Sequence, residues 1–411
     1  MKVAIMGFGG RGGVYVHFAK YYGSEVVAVC DPDITKKKFA MEEYGVEDKN
    51  YFTDEEEFFS KGKIADALVI ATLDDLHYRQ TIKALNVGYD ILLEKPIAMT
   101  NDECIKIRDE AKRLNRKVVV CHVLRYSPFY CAIKKLLEEK VVGDIVNVTM
   151  SEEIGYYHYA HSYVRGNWRN TDVSTPLILA KNSHDIDIIN WIIGKKCISV
   201  SSLGGLKYFN SYNAPNGAAK HCVDCKYKDD CAFSCFKIYN NADYEKLAGL
   251  AKHGKLGQNK SEIDKNLSDK TNPYSRCVYH CDNNVCDNQI VNISFEDGVS
   301  AQFISTAFSE TMSRNIKIYC TGGAIWGSGD GDVYYQPYGE EVKTVKVVYS
   351  DGGYAHHSGG DVGIVKQFIE YLETGEMTFN VTDIEVSVKG HEIAFLAEES
   401  RLNNGKTLFL I

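Results

Sequence analysis

The chain has 411 residues, of which 45% are hydrophobic and 25% charged. This is the composition of a folded globular protein with room for two domains of ordinary size. The formal net charge of −8 argues against nucleic acid as a partner, and no apolar run reaches the ~18 residues that a membrane span requires. The N-terminal run MKVAIMGFGG lacks the pattern of a signal peptide, so we expect a cytoplasmic location.

The first part of the chain alternates short apolar runs with helical patterns. Five runs, from KVAIMGF to KVVVCHV, are continuous stretches rich in Val, Ile and Leu, as in parallel strands covered on both faces. Between them lie segments with helical spacing, such as NDECIKIRDEAKRLN, for which Thr100 is a suitable N-cap. Repeated βαβ units predict a doubly wound parallel sheet, a Rossmann domain, over residues 1–124.

From about residue 125 the pattern changes. Runs such as DIVNVTMSEEI and NQIVNISFEDG are longer, contain more Thr, Ser and Tyr, and partly alternate, which predicts an open, mostly antiparallel sheet with helices on one face. We therefore expect an α/β protein whose second domain, residues 125–411, binds substrate and forms a homo-oligomer, a dimer or tetramer. Residues 206–288 are polar and lysine-rich, and we interpret them as an insertion with little regular structure.

A glycine motif directly follows the first predicted strand. GFGGRG places Gly7, Gly9 and Gly12 in the G-x-G-x-x-G spacing, in which a tight turn and a helix N-terminus bind a pyrophosphate. Asp31 ends the next strand, where a carboxylate accepts hydrogen bonds from a ribose 2′-hydroxyl and repels a 2′-phosphate. The pattern predicts NAD as cofactor, with NADP less favoured. The predicted cofactor contacts within the motif are Gly7, Gly9, Gly10, Arg11 and Gly12.

Two more strand ends belong to the same edge of the sheet, where ligands bind in such folds. ATLDDLH follows one strand and supplies Thr72, Leu73 and His77 as cofactor contacts. LLEKPIA follows another and supplies Glu94 and Lys95. A lysine at this edge can donate to a substrate hydroxyl, although Glu94 and Lys95 are also compatible with a surface ion pair.

These motifs, followed by HVLRYSPFYCAIKKLLEE, resemble the Gfo/Idh/MocA family of nicotinamide-dependent oxidoreductases over essentially the whole chain. The resemblance implies an open sheet that faces the cofactor and activity on sugars, cyclitols and their derivatives. It also implies that Lys95 and His184 flank the substrate. The usual pattern has an aspartate four residues before that histidine. Here the position is Ala180, with Lys181 beside it, as in a subgroup in which Lys181, His184 and Asp185 occupy the helix.

The stretch LILAKNSHDIDIINW, residues 177–191, predicts a mostly apolar helix with a polar face. Lys181, His184 and Asp185 share that face by i, i+3 and i+4 spacing. His184 can accept the proton of a hydroxyl, while Asp185 or Asp187 orients its ring and Lys181 stabilises the substrate oxygen. The alternative is a buried structural histidine and, for Asp187, an ion pair within the helix.

Aromatic and charged residues follow the first strand of the second domain, in YYHYAHSYVRGNWRN. Sugar sites favour aromatic faces and charged donors, so this stretch predicts a substrate wall, although each residue taken singly is equally compatible with a structural role. The predicted substrate contacts are Tyr126, Tyr156, His158, His161, Arg165, Trp168, Arg169 and Asp185.

Seven of the thirteen cysteines lie in the insertion. A C-x₂-C pair with further cysteines at loop spacing predicts a structural Zn²⁺ site, because four thiolates would fix a segment with few apolar residues. An iron–sulfur cluster and free or redox-paired thiols are the alternatives. The predicted ligands are Cys222, Cys225, Cys231 and either Cys277 or Cys281, with Cys235 as a competitor.

Three functions are compatible with these residues. The favoured one is an NAD-dependent oxidoreductase that transfers a hydride from a secondary hydroxyl of a sugar or glycoside. The second is a glycosidase or epimerase in which transient oxidation at C3 permits elimination and the cofactor is recycled. The third is a non-catalytic binding protein, either NAD-responsive or stabilised by zinc, which Lys95 and His184 together disfavour.

Overall fold

The computed structural model describes residues 1–240, 256–257, 259–349, 357–378 and 380–410. Its strands form two sheets, one parallel and one mostly antiparallel, which confirms the predicted fold class. Among the described helices, none combines the length and the apolar composition that crossing a membrane requires.

The first sheet is fully parallel, with the strand order β3-β2-β1-β4-β5-β6. Apolar side chains on both of its faces are buried, as the continuous Val- and Ile-rich runs predict. Its strands are β1 (Lys2–Met6), β2 (Glu25–Cys30), β3 (Tyr51–Phe52), β4 (Ala67–Ile70), β5 (Asp90–Leu93) and β6 (Val118–Val120). The two-residue strand β3 was not predicted, because so short a segment has no periodicity.

Five helices connect these strands. They are α1 (Gly10–Tyr21), α2 (Lys37–Tyr44), α3 (Glu55–Ser60), α4 (Asp74–Val87) and α5 (Asn101–Arg113). Thr100 caps α5 as predicted. Its hydroxyl accepts from the Glu103 backbone, and the Glu103 carboxylate accepts from the Thr100 backbone.

The second sheet has nine strands in the order β14-β13-β12-β11-β7-β10-β9-β8-β15. Only β7 and β10 pair in parallel; the other neighbours are antiparallel. The strands are β7 (Ile145–Glu153), β8 (Cys197–Gly205), β9 (Asn288–Phe295), β10 (Ser300–Thr306), β11 (Ser313–Cys320), β12 (Gly323–Ser328), β13 (Val333–Pro337), β14 (Lys343–Val345) and β15 (Leu408–Phe409).

After the first sheet the chain contains eight described α-helices, some of which pack on the second sheet while others contact the first sheet or lie in the insertion. They are α6 (Pro128–Glu138), α7 (Tyr156–Tyr159), α8 (Leu177–Ala180), α9 (Ser183–Ile193), α10 (Cys235–Asn240), α11 (Lys260–Ser268), α12 (Gly360–Thr374) and α13 (Ile384–Leu402). The last helix, α13, packs against α5 on one side and against α9 and β8 on the other. It therefore ties the two sheets together.

The described parts of the insertion, residues 206–240, 256–257 and 259–288, contain more regular structure than predicted. They include α10 and α11, and apolar side chains such as Phe209, Ile263 and Leu267 bury one another there. The expectation that this segment lacks apolar residues to stabilise itself is therefore wrong. Its hydrophobic residues are dispersed among polar ones, so they form a core only after the chain folds back on itself.

Candidate active site

The glycine motif forms a tight turn between β1 and α1. Gly7 has a φ of +88°, and a Cβ there would lie 2.5 Å from the Ala71 carbonyl oxygen. A Cβ on Gly12 would lie 2.0 Å from the Gly7 carbonyl oxygen, whereas one built on Gly9 would meet no described atom within 4 Å apart from its own neighbours. Gly9 and the exposed Gly10 therefore leave open backbone at the start of α1, which fits a dinucleotide pyrophosphate.

Asp31 follows β2 at the same edge of the sheet. Its carboxylate accepts from the Phe8 backbone N–H at 2.7 Å and pairs with Lys36 Nζ at 2.9 Å. The contact with Phe8 places the carboxylate beside the glycine turn, as the ribose contact predicted for NAD requires.

Arg11 pairs with two carboxylates. Its guanidinium pairs with Glu94 Oε1 at 2.8 Å and with Asp361 Oδ1 at 2.7 Å, and it also donates to Tyr15. Arg11 therefore links the turn after β5 to α12, which the sequence prediction of a cofactor contact did not anticipate.

The turn after β4 is held by His77. One ring nitrogen lies 2.7 Å from the Pro96 carbonyl oxygen and the other 3.2 Å from that of Thr72. The Thr72 hydroxyl donates to Gln80 at 2.6 Å, and Leu73 is exposed. His77 thus joins the turns after β4 and β5, both of which lie at the carboxyl edge of the sheet.

Lys95 extends from this edge to the second domain, where its ammonium donates to the Ala180 carbonyl oxygen. Burial lowers the pKa of Lys95 to about 8, and the nearby charge of Lys181 adds to this effect, against the opposing charge of Glu94. The protonated, donating form of Lys95 is therefore lost at a lower pH than that of an ordinary lysine.

The predicted continuous helix at residues 177–191 is in fact two helices. Helix α8 ends at Ala180 and α9 begins at Ser183, so Lys181 lies in the break and not on a regular helical face. The break leaves the Ala180 carbonyl without a helical partner, and Lys95 supplies the donor. The helix interruption therefore makes the Ala180 carbonyl oxygen available to Lys95.

His184 occupies the first turn of α9 and is 4% exposed. Its Nδ1 atom has no hydrogen-bond partner among the described residues. Burial, followed by the charge of Lys95, holds the pKa of His184 well below its ordinary value. The ring is therefore neutral at physiological pH and able to accept a proton.

The two aspartates of α9 do not orient His184, contrary to the prediction. Asp185 pairs with Arg314 Nε at 2.8 Å. Asp187 accepts hydrogen bonds from Arg125 Nε at 2.7 Å and from Arg125 Nη2 at 2.6 Å. Each carboxylate is thus neutralised by an arginine from a distant part of the chain.

Lys181 belongs to the same buried charge network. Its Nζ lies 3.1 Å from Glu152 Oε1, and Arg314 Nε lies 2.7 Å from the other oxygen of Glu152. The two cations therefore share Glu152, and Arg314 also neutralises Asp185. Glu152 and Arg314 were missed at the sequence level, because strand residues carry no local signal of a distant partner.

The predicted substrate wall is only partly assembled. His158 packs edge-on against Tyr163, with ring centroids 6.1 Å apart. Burial, followed by the charge of Lys181, holds the pKa of His158 well below its ordinary value. The Trp168 indole donates to Asp74 Oδ1 at 3.2 Å, which connects the wall to the N-terminus of α4. Tyr156 packs edge-on against Phe233.

Other predicted substrate residues point into the insertion or a core. His161 Nδ1 lies 2.8 Å from the Tyr239 hydroxyl, and Arg165, fully buried, donates to the Phe233 carbonyl at 2.7 Å. Arg169 pairs with Asp282 at 2.8 Å, and Tyr126 is buried in the core of the first sheet. The aromatic and basic residues of this stretch therefore pack within the protein as much as they line the candidate active site.

The cysteines of the insertion do not form a metal site in the described parts of the chain. No group of three or more His, Cys, Asp or Glu side chains is arranged there to hold a metal ion, so the predicted zinc ligands are not supported. All the cysteines are free thiols, including Cys222, Cys225, Cys231, Cys277 and Cys281. Cys222 instead receives a hydrogen bond from the Cys235 thiol, and Arg165 Nη2 lies 3.9 Å from Cys222 Sγ. The hydrogen bond, together with the charge of Arg165, holds the pKa of Cys222 below its ordinary value.

A further histidine missed at the sequence level lies opposite His184. The ring centroids of His357 and His184 are 5.5 Å apart, and His357 Nδ1 lies 3.2 Å from Asp361 Oδ2. The signal was present in the sequence HHSGGD, where His357 and Asp361 are four residues apart at a helix start.

Comparison with known proteins identifies the family of the chain. Residues 1–122 match the family model described as oxidoreductase family, NAD-binding Rossmann fold, and residues 134–351 match the C-terminal α/β domain of the same oxidoreductases. The chain is 23% identical over 370 residues to YteT of Bacillus subtilis, a protein named as an oxidoreductase, with 84% of this chain and 81% of that protein covered. It is 26% identical over 175 residues to inositol 2-dehydrogenase of Salmonella typhimurium, with 42% and 48% covered, so this match spans about half of that enzyme.

Solved structures share the fold. An oxidoreductase from Agrobacterium radiobacter in complex with NAD+, L-tartaric acid and magnesium has a TM-score of 0.71 at 15% identity, covering 100% of this chain and 98% of that one. An inositol dehydrogenase homologue from Azotobacter vinelandii, complexed with NADH and myo-inositol, has a TM-score of 0.69 at 14% identity, covering 100% and 97%. The two family models together span most of the chain, and the chain belongs to the Gfo/Idh/MocA family of NAD-binding oxidoreductases.

Proposed function

We propose that this protein oxidises a secondary hydroxyl of a sugar, cyclitol or glycoside by hydride transfer to NAD. The observation that carries the proposal is the contact of Lys95, at the carboxyl edge of the parallel sheet, with Ala180 at the end of α8, directly before the helix that carries His184. The inositol dehydrogenases among the relatives support a polyol as substrate.

The cofactor fits the first domain. Gly9 and Gly10 would hold the pyrophosphate at the N-terminus of α1, and Asp31 would hold the adenosine ribose. When bound, the nicotinamide supplies the hydride acceptor. Lys36 lies on Asp31 and partly offsets its charge, so the preference for NAD over NADP rests on a carboxylate that already has one cationic partner.

The residues of this chain handle the proton and the substrate oxygen. His184, neutral because it is buried, takes the hydroxyl proton as the hydride leaves the carbinol carbon. Lys95 in its protonated form donates a hydrogen bond to the same oxygen and stabilises the negative charge that develops on it. Lys181, held by Glu152, binds a neighbouring hydroxyl of the substrate.

The test is a screen of polyols, sugars and aryl glycosides with NAD+, with reduced nicotinamide and released aglycone both measured. We expect absorbance of the reduced cofactor to rise with a cyclitol or sugar, and Lys95→Met and His184→Gln to abolish this rise. Aglycone release without net reduction would instead establish cofactor recycling. NAD+ binding without turnover on any substrate would overturn the proposal.

The exposed face of the second sheet supports a homo-oligomer. Leu203, Ile290 and Ile304 are exposed and lie directly opposite one another on β8, β9 and β10. We propose that this apolar row packs against a second copy of the chain. Analytical ultracentrifugation should give a dimer or larger assembly, and Ile290→Lys should weaken it; a wild-type monomer would contradict this.

A further inference from the structure

His357 is a second imidazole at the candidate active site. Its ring centroid lies 5.5 Å from that of His184, a separation at which one nitrogen of each ring can approach to hydrogen-bond distance or to the span of one water. The His357 side chain is 27% exposed, whereas His184 is 4% exposed. Of these two rings, His357 is therefore the one with access to solvent.

Asp361 fixes the tautomer of His357. The Asp361 side chain is fully buried, and Arg11 donates to both of its oxygens, at 2.7 and 3.1 Å. These contacts hold the pKa of Asp361 well below its ordinary value. An ionised Asp361 accepts the hydrogen bond from His357 Nδ1–H at 3.2 Å, which leaves Nε2 of His357 as the basic atom.

His184 has no comparable support on its own helix. Asp185 and Asp187 are neutralised by Arg314 and Arg125, so neither carboxylate stabilises a protonated His184. Lys95 also opposes a positive charge there. A proton taken from the substrate is therefore unfavourable on His184 and has to move on before the next turnover.

We propose that His357 is a proton-relay residue, which receives from His184 the proton of the substrate hydroxyl and passes it to solvent. This inference rests on the proposed dehydrogenase function. The substrate loses a hydride from carbon to the oxidised nicotinamide and a proton from oxygen to His184, and its carbinol becomes a carbonyl. The proton then moves to Nε2 of His357, where Asp361 stabilises the imidazolium, and is released to water.

The charges that face His357 come from four elements. Asp361 lies on α12, Arg11 on α1, Arg314 on β11 and His184 on α9. Burial and the two arginines lower the pKa of His357, and Asp361 opposes them. Asp361 is therefore the group that makes His357 able to hold a proton transiently.

The decisive variant is His357→Gln, which can keep a hydrogen bond to Asp361 but cannot carry a proton. We expect kcat to fall on the order of 10²-fold with little change in KM, since general acid–base groups contribute 10²–10⁴-fold. The solvent deuterium isotope effect should rise, and added imidazole should restore part of the rate. His280→Gln, at an exposed histidine of the insertion, is the matched control and should match the wild type.

Asp361→Asn gives a second, independent measurement. It keeps the shape of the side chain and removes the charge, so we expect a smaller loss of kcat and a shifted pH profile. If the wild type turns over and His357→Gln has the same rate and pH profile, the relay is overturned but the proposed dehydrogenase function is not. A loss without imidazole rescue and without a larger solvent isotope effect would also overturn the relay, whereas a wild type that reduces no NAD overturns the proposed function.

Discussion

Two regions of the chain carry many polar or reactive side chains, and the fold uses them in different ways. In residues 177–193, each charge has a partner from far along the chain: Lys181 meets Glu152, and Asp185 meets Arg314. In the insertion, residues 206–288, the cysteines lie near one another as thiols, and apolar side chains such as Leu267 form the core. The first region depends on charge pairing and the second on burial.

The difference teaches how buried polar residues are to be interpreted. A buried charge without a partner costs several kcal/mol, so charges within an apolar helix require partners elsewhere. A reduced cysteine behaves as a small hydrophobic residue and needs none. A cluster of cysteines in sequence is therefore weaker support for a site than a cluster of charges in an apolar segment.

The largest effect is expected at Lys95. Lys95→Met should lower kcat/KM by about 10²–10⁴-fold, because the substrate oxygen loses its cationic donor, while the melting temperature stays near that of the wild type. Lys134→Met is the control, since Lys134 is also partly buried with a lowered pKa but contacts Trp191 away from the site. Comparable losses in both variants would show that Lys95 acts through stability.

Arg314 tests the charge pairing of the first region. Arg314→Met removes the cationic partner of Asp185 and one of the two cationic partners of Glu152. It should cost about 3–5 kcal/mol of unfolding free energy, the range for breaking a buried pair. Arg169→Gln breaks an exposed pair with Asp282 and should cost only about 0–1 kcal/mol. Urea unfolding of both variants measures this, and equal costs would contradict the difference between the two regions.

Leu267 tests the core of the insertion. Leu267→Ala should lower the unfolding free energy by about 2–5 kcal/mol, the usual range for a buried leucine. Cys225→Ser, at a partly exposed thiol, should cost less than about 1 kcal/mol. If the serine variant is the less stable of the two, or if a chelator lowers the melting temperature, then the cysteines and not the apolar residues stabilise the insertion.

The pH dependence of kcat/KM tests the protonation of Lys95. Its pKa is lowered to about 8, so the donating, protonated form is lost as pH rises through that value. We expect kcat/KM to fall about tenfold per pH unit above it. In Lys95→Arg, whose guanidinium stays charged, the fall should disappear; an unchanged profile would assign the titration to another group.

The smallest effect is expected at Trp168, which links the substrate wall to the first domain. Trp168→Phe removes the hydrogen bond to Asp74, which is worth about 1 kcal/mol in a part-buried setting because Asp74 keeps its bond from Thr175. We expect KM for substrate to rise a few-fold with kcat preserved. A change in kcat alone would contradict a role in binding.

The sequence predicted the site unevenly, for physical reasons. Gly7, Gly12 and Asp31 follow strands at fixed spacing, so local pattern placed them correctly at the edge of the sheet. Arg165 and His161 have the same local pattern as a sugar-binding wall, yet both are turned into the insertion. A side chain's direction there depends on residues 68 and 78 positions away, which no local pattern contains.

The sequence by itself determined the family, the parallel sheet with its glycine turn, and Lys95 and His184 as candidate catalytic residues, because these follow from local periodicity and short motifs. Only the tertiary structure decided that the helix breaks at Lys181 and that His357 faces His184. These features depend on which charges meet when the two sheets pack together. A charge needs a partner once it is buried, and it is buried only in the folded chain.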